Sequence, residues 1–153
     1  MELRFLRAED IPAAAQLEVQ CFSDPMPEDM IARLAFSDGY AALAAVGDGQ
    51  HLLGWAALQL VLDEASLLTI ASSPDCRRCG VGEALLREAM SLARARGAAF
   101  LTLEVRESNV PARALYEKLG FQCVGERKNY YEKPVENAIL MTAYFRKEDD
   151  VPC

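Results

Sequence analysis

Histidine and tryptophan are almost absent from this 153-residue sequence, which has one of each, His51 and Trp55. A lone imidazole, placed in a hairpin turn, offers no ligand set for a metal. The five cysteines (Cys21, Cys76, Cys79, Cys123 and Cys153) hold one C-x-x-C and no second, which argues against a zinc ribbon. No apolar run approaches the ~20 residues that span a bilayer; Ala41 to Gly47 is typical. The first ten residues lack the apolar stretch of a secretion signal. No repeat or low-complexity stretch is present. Positive charge is in deficit, with 16 Lys and Arg against 23 Asp and Glu and a net charge of -7. That balance disfavours random adhesion to nucleic acid or an anionic membrane. These absences together predict a cytoplasmic protein with free thiols, no metal, and neither nucleic acid nor membrane as partner.

What is present suits a packed core: 52% apolar residues and 25% charged. The length fits one domain over residues 1–145, followed by a polar tail at 146–153. Charge is unevenly placed. Residues 77–128 carry ten Lys/Arg and six Asp/Glu, whereas the rest carry six and seventeen. A basic middle in an acidic body suits an anionic ligand and a basic partner; solvated helix faces would give the same pattern.

Glu2 to Arg7 alternates as an edge strand. Asp10 is placed to cap a helix with apolar positions Ile11, Ala14, Leu17 and Cys21. Ser23-Asp-Pro-Met-Pro27 breaks it, and a second helix runs from Glu28 to Phe36. Tyr40–Val46 and Leu52–Val61 read as a hairpin across Gly47-Asp-Gly-Gln. Asp63-Glu64 turns into a strand from Ser66 to Ala71. Gly80 to Arg96 has one apolar helix face, and Ala99 to Val105 alternates as a strand. Ser108 or Asn109 caps a fourth helix, with Pro111 in its first turn. Phe121–Glu126 and Ala138–Phe145 close the chain as strands. The order predicts a mixed α/β (α+β) layer fold.

Three segments carry chemistry. In the first, a strand feeds Cys76-Arg-Arg-Cys-Gly-Val-Gly82 and a helix start. Glycines there let backbone N–H groups approach a ligand, and the helix end with Arg77 and Arg78 suits a pyrophosphate. The spacing Arg77-x-x-Gly80-x-Gly82 is neither a dinucleotide nor a P-loop fingerprint. Two glycines in a tight turn are the plainer alternative. In the second, Glu104 ends a strand on the face opposite Leu103 and Val105, where a partly desolvated carboxylate can act as a base. An exposed or salt-bridged glutamate is the commoner case. In the third, Tyr116 lies beside Leu115 and Leu119, which read as core. It packs there, or protonates a leaving group as a phenol of ordinary pKa near ~10.

Taken together, these segments resemble the GNAT superfamily of acetyl-CoA-dependent N-acetyltransferases, whose [Q/R]-x-x-G-x-[G/A] motif is matched by Arg77 to Gly82. Within it the chain is similar to the bacterial ribosomal-protein-alanine N-acetyltransferases. The carrying segments are Val61-Leu-Asp-Glu-Ala65, Leu103-Glu-Val-Arg-Glu-Ser-Asn109, Ala114-Leu-Tyr-Glu-Lys-Leu-Gly-Phe121, Arg127-Lys-Asn-Tyr-Tyr131 and Asn137-Ala-Ile-Leu-Met141. The resemblance implies a central twisted mixed sheet of about seven strands flanked by about four helices. It implies acetyl-CoA in a V-shaped opening beside the third central strand. Backbone groups of Ile70, Ala71 and Ser72 would hold its pantetheine part. The turn through Arg77, Arg78, Cys79, Gly80, Val81, Gly82 and Glu83 would hold its pyrophosphate, and Asn109 would also contact it. Glu104 would be the general base and Tyr116 the general acid. The acceptor would be the N-terminal alanine of a small-subunit ribosomal protein, with Asp63, Glu64, Tyr130 and Tyr131 as walls of the peptide site.

The chain departs from that pattern at Pro25-Met26-Pro27, where the subfamily shows Pro-Trp-Ser, at Glu83, where a basic residue is frequent, and at Cys79 in the phosphate turn. Acetylation of lysine side chains or a small amine is the rival within the same chemistry. Cys76-Arg-Arg-Cys79 before a helix also suits a thiol oxidoreductase, or a disulfide that distorts the phosphate turn. A CoA-binding module without turnover is a third class.

Overall fold

A computed structural model describes residues 1–76 and 79–145. Arg77, Arg78 and the expected tail at 146–153 lie outside the described residues. The elements run β1 (Glu2–Phe5), α1 (Ile11–Cys21), α2 (Glu28–Ala35), β2 (Tyr40–Val46), β3 (Leu52–Val61), β4 (Glu64–Ser72), α3 (Val81–Ala95), β5 (Phe100–Arg106), α4 (Val110–Lys118), β6 (Gln122–Tyr131) and β7 (Glu136–Tyr144). This is the interleaving that the sequence predicts. The strands form one seven-stranded sheet in the order β1-β2-β3-β4-β5-β7-β6. The β4–β5 pair is parallel, and the β1–β2, β2–β3, β5–β7 and β6–β7 pairs are antiparallel, so the sheet is mixed.

The chain divides into two compact units, Met1–Gln59 with Leu67–Ala89, and Leu60–Ser66 with Met90–Cys153. In the first, α1 buries Ile11, Ala14, Leu17 and Glu18. The first three are the expected helix face, spaced three residues apart. They join Ile31 and Leu34 of α2, Ala42, Ala44 and Val46 of β2, and Trp55 and Ala57 of β3 in one core. Every residue of β2 from Ala41 to Val46 is buried. A strand covered on both faces has no need of the polar alternation of a half-exposed one.

The second unit is built on β5, whose Leu101, Leu103 and Val105 are buried while Glu104 is exposed. Seven residues of β5 pair with β7, from Phe100 opposite Tyr144 to Arg106 opposite Ala138. β4 joins β5 through Glu64, Ala65 and Ser66 opposite Phe100, Leu101 and Thr102. That strand begins two residues earlier than expected, so Glu64 is in the strand and not in the turn. A larger correction concerns residues 127–131, which lie beyond the expected end of β6 at Glu126. They continue β6 to Tyr131, with Arg127 opposite Ala138 and Tyr131 opposite Glu136. The register shifts between those pairs, and Asn129 adopts φ +53°. This bulge breaks the two-residue alternation by which a strand is recognised.

Asp10 also departs from expectation. It precedes α1, but its side chain makes no cap bond to that helix. It accepts instead from Arg4 Nη1 at 2.7 Å, Arg4 Nη2 at 3.2 Å and the Arg7 amide at 2.8 Å. Both partners are nearly covered, with side-chain exposures of 10% for Arg4 and 5% for Asp10. Burial pushes the Asp10 carboxyl up. The Arg4 guanidinium and the Arg7 amide pull harder the other way, so it titrates below its usual range. A carboxyl depressed on folding stabilises the protein above its unfolded pKa, and that contribution is lost as pH falls through the folded value. Asp10→Asn is therefore expected to cost about 3 kcal/mol near neutrality by stranding Arg4 and to flatten the loss of stability below about pH 4. Urea unfolding at pH 7 and pH 3 checks both; a variant with wild-type stability and acid sensitivity would contradict the assignment.

Candidate active site

In the first unit the region of interest is the end of β4 and the start of α3. A 3-10 turn at Pro74–Cys76 follows the strand, and α3 begins at Val81. Gly80 adopts φ +81° with open space where a Cβ would stand. The left-handed conformation explains a glycine there, and the bare backbone leaves room for a ligand at the amino end of a 15-residue helix. Such an end carries partial positive charge, so these residues fit a phosphate group. Cys76 and Cys79 are not joined in a disulfide, and the Cys79 amide bonds the Cys76 carbonyl at 3.2 Å. Glu83 accepts from Arg87 Nε at 3.1 Å one turn along, which neutralises part of its charge beside the turn.

Two residues that the sequence reading passed over hold this region in place. Gly54 of β3 is the first. A Cβ there would lie 2.7 Å from Val81 Cγ1, 2.9 Å from the Ala71 carbonyl and 3.0 Å from Leu85 Cδ1. Helix α3 therefore sits closer to β3 and β4 than any side chain would permit. A glycine inside a strand pattern was the signal that could have found it. Glu18 is the second, a carboxylate only 2% exposed in α1. It accepts from Thr69 Oγ1 at 2.7 Å, Trp55 Nε1 at 3.2 Å and the Met26 amide at 2.9 Å. One turn on, the Cys21 thiol donates to the Ser72 carbonyl at 3.3 Å. Helix α1 thus grips β4 on both sides of Ile70 and Ala71. The charge at Glu18 hid its role, since a lone Glu in a helix reads as solvated.

In the second unit the polar face of β5 presents Glu104 and Arg106, two residues apart and so on one side of the strand. Glu104 Oε1 lies 3.4 Å from Arg127 Nε. The Tyr130 hydroxyl donates to Glu104, and this bond, with some burial, holds the Tyr130 phenol above its ordinary range. Tyr131 packs edge-on against Tyr130, with ring centroids 5.1 Å apart. Burial and then the charge of Glu104 push Tyr131 up to about 12. Arg106 lies over the Tyr131 ring at 4.5 Å, and Arg127 over Tyr130 at 5.8 Å. Glu104, Tyr130 and Tyr131 are thus brought together, with two arginines that the sequence reading gave no role.

Tyr116 differs from its expected state. Its ring is buried against Phe121, and burial lifts its pKa to about 12, not ~10 as an ordinary phenol. Leu115 and Leu119, expected as core, are only half-buried, and Tyr116 is the covered residue of that helix. Asn109 caps α4, its Oδ1 accepting from the Ala112 amide at 3.3 Å. Asp63 and Glu64 are exposed at the other end of β5. Glu64 pairs with Phe100, four residues before Glu104, which places it about 13 Å along the strand from the base candidate. Arg77 and Arg78 lie outside the described residues.

The chain matches the acetyltransferase (GNAT) family over residues 10–121. It is 40% identical over 138 residues to the [ribosomal protein bS18]-alanine N-acetyltransferase of Escherichia coli (strain K12), covering 89% of this chain and 92% of the relative. To the protein of the same name from Haemophilus influenzae it is 47% identical over 100 residues, covering 63% and 68%. The crystal structure of the ribosomal-protein-S18-alanine N-acetyltransferase from Escherichia coli superposes with a TM-score of 0.86 at 38% identity, covering 94% of this chain and 92% of that one. This chain belongs to the GNAT family of acetyltransferases, and its fold is theirs. It is an acetyl-CoA-dependent N-acetyltransferase, similar to the bacterial ribosomal-protein-alanine N-acetyltransferases.

Close approach at Gly54 has a direct consequence. Gly54→Ala is expected to lower stability by about 1–3 kcal/mol, because neither the β-branched Val81 nor the Ala71 carbonyl can yield freely. Chemical denaturation measures it, and a wild-type midpoint would show slack that the packing denies.

Proposed function

We propose that this chain transfers the acetyl group of acetyl-CoA to the N-terminal alanine α-amine of a small-subunit ribosomal protein, with residues 1–145 as the acetyltransferase domain. The observation that carries the reading is the cluster of Glu104, Tyr130 and Tyr131, an exposed carboxylate beside two aromatic rings. The activity named for relatives at 40% and 47% identity supports the choice of acceptor.

In this reading the first unit binds acetyl-CoA. The backbone of Ile70, Ala71 and Ser72 holds its pantetheine part. The turn from Arg77 through Cys79, Gly80, Val81, Gly82 and Glu83 receives the pyrophosphate with the α3 amino end, and Asn109 is a further candidate for a cofactor contact. The bound thioester supplies the electrophilic carbonyl. Glu104 takes the proton of the incoming ammonium, directly or through one water. An α-amine has a pKa of about 7.7–8.0, so most of it is protonated at neutral pH and the base adds about 10²–10⁴-fold. Tyr116 stays protonated throughout the working pH range, because burial holds it near 12. It is therefore a standing hydrogen-bond donor toward the leaving sulfur. Tyr130 and Tyr131 wall the amine's approach. Asp63 and Glu64, about 13 Å along β5, suit a basic residue roughly four positions into an extended peptide.

Mass spectrometry of one peptide incubated with protein and acetyl-CoA tests the proposal. The peptide begins with a free Ala, continues with Arg and aromatic residues, and contains one internal Lys. Acetyl on the Ala α-amine is the expected product. Acetyl on the Lys alone would transfer the chain to side-chain acetylation. No acetyl on either amine, with acetyl-CoA bound, would overturn the acceptor.

A further inference from the structure

Arg106, in the second unit, makes contacts in several directions. It leaves β5 on the same face as Glu104 and reaches into the connection between β6 and β7. Its Nη2 donates to the Glu132 carbonyl at 2.8 Å, and its Nη1 to the Pro134 carbonyl at 3.0 Å. The same Nη1 lies 3.2 Å from Glu136 Oε2. The plane of the guanidinium covers the Tyr131 ring at 4.5 Å. The second oxygen of Glu136 accepts from the Ser108 amide. Ser108 immediately precedes Asn109, the cap of α4, the helix that carries Tyr116. Ser108 and Arg106 both draw the Glu136 carboxyl below its usual range, so it is ionised at any working pH.

A single ion pair therefore has contacts in two directions. Through Arg106 it fixes the Tyr131 ring and the 132–136 connection. Through Glu136 it fixes the start of α4. A solvated surface pair needs none of this, since water satisfies the donors and acceptors it leaves over. A guanidinium that spends its donors on two backbone carbonyls and a carboxylate, while its face stacks on an aromatic ring, uses a geometry that lysine cannot reproduce. Resting on the reading above, in which Tyr131 walls the acceptor site, we propose that Arg106 and Glu136 are positioning residues for the acceptor. They act through Tyr131 and the β6–β7 connection, set how tightly the amine-bearing chain is held, and touch neither the reacting atoms nor acetyl-CoA.

The test compares wild type with Arg106→Lys and Glu136→Gln. The acceptor is whichever amine of the peptide the wild type acetylates, α or ε, so failure of the alanine reading does not remove the assay. Arg106→Lys is expected to raise the acceptor KM about tenfold, with the KM for acetyl-CoA within about twofold of wild type. Glu136→Gln should shift the same constant in the same direction. NMR of the Tyr131 ring, which needs no substrate, should show its resonances moved toward those of an unstacked tyrosine in Arg106→Lys. An unchanged acceptor KM in both variants would overturn the proposal. So would a rise in both KM values in step, the mark of general loosening, or a Tyr131 ring that keeps its wild-type resonances.

Discussion

The two-residue period of β5 is the constraint on which the second unit depends. Leu101, Leu103 and Val105 are buried on one face, so Thr102, Glu104 and Arg106 must take the other. Seven paired residues with β7 fix that register. A slip of one residue would drive two charges into the core and expose three aliphatic side chains, a change too costly to be populated. Once the register is set, the rest of the cluster follows. Glu104 meets Arg127 and Tyr130 from β6, and Arg106 meets Tyr131 and Glu136. β7 lies between β5 and β6 and presents Ala138 opposite both Arg106 and Arg127. A residue that small leaves the long side chains free to meet above it.

The first unit is held together differently. Its strands are lined with alanine and glycine, and Glu18, buried like Asp10, is met by three neutral donors. A buried charge with fewer partners would cost several kcal/mol, on the order of a domain's whole stability margin. Here it ties α1 to Met26, Trp55 and Thr69 and holds the strand that leads to the α3 turn.

Much of this was legible in the sequence, and the misses have physical causes. The element order, the α1 positions Ile11, Ala14 and Leu17, the alternation in β5 and a cap at Ser108 or Asn109 all rest on local signals, which one chain segment carries by itself. The extension of β6 to Tyr131 was not legible. A bulge with Asn129 at φ +53° erased the alternation there. Asp10 was read as a helix cap because the competing partner, Arg4, comes from the preceding strand. The burial of Tyr116 in place of Leu115 depends on which way α4 is rolled against the sheet, and Phe121 settles that from beyond the helix. Arg106 could have been found, since the period that placed Glu104 places it too. Glu18 could not, because its three donors come from three separate elements.

Glu104, exposed on the polar face of β5, is the residue proposed to accept the proton of the acceptor amine. The pH dependence of kcat/KM for Glu104→Gln tests it most directly. The expected result is a loss of about 10²–10⁴-fold at pH 7 that shrinks steadily as pH rises through the pKa of the amine, which then deprotonates unaided. A variant whose profile has the wild-type shape and height would contradict it, and would leave Glu104 as the ion-pair partner of Arg127 alone.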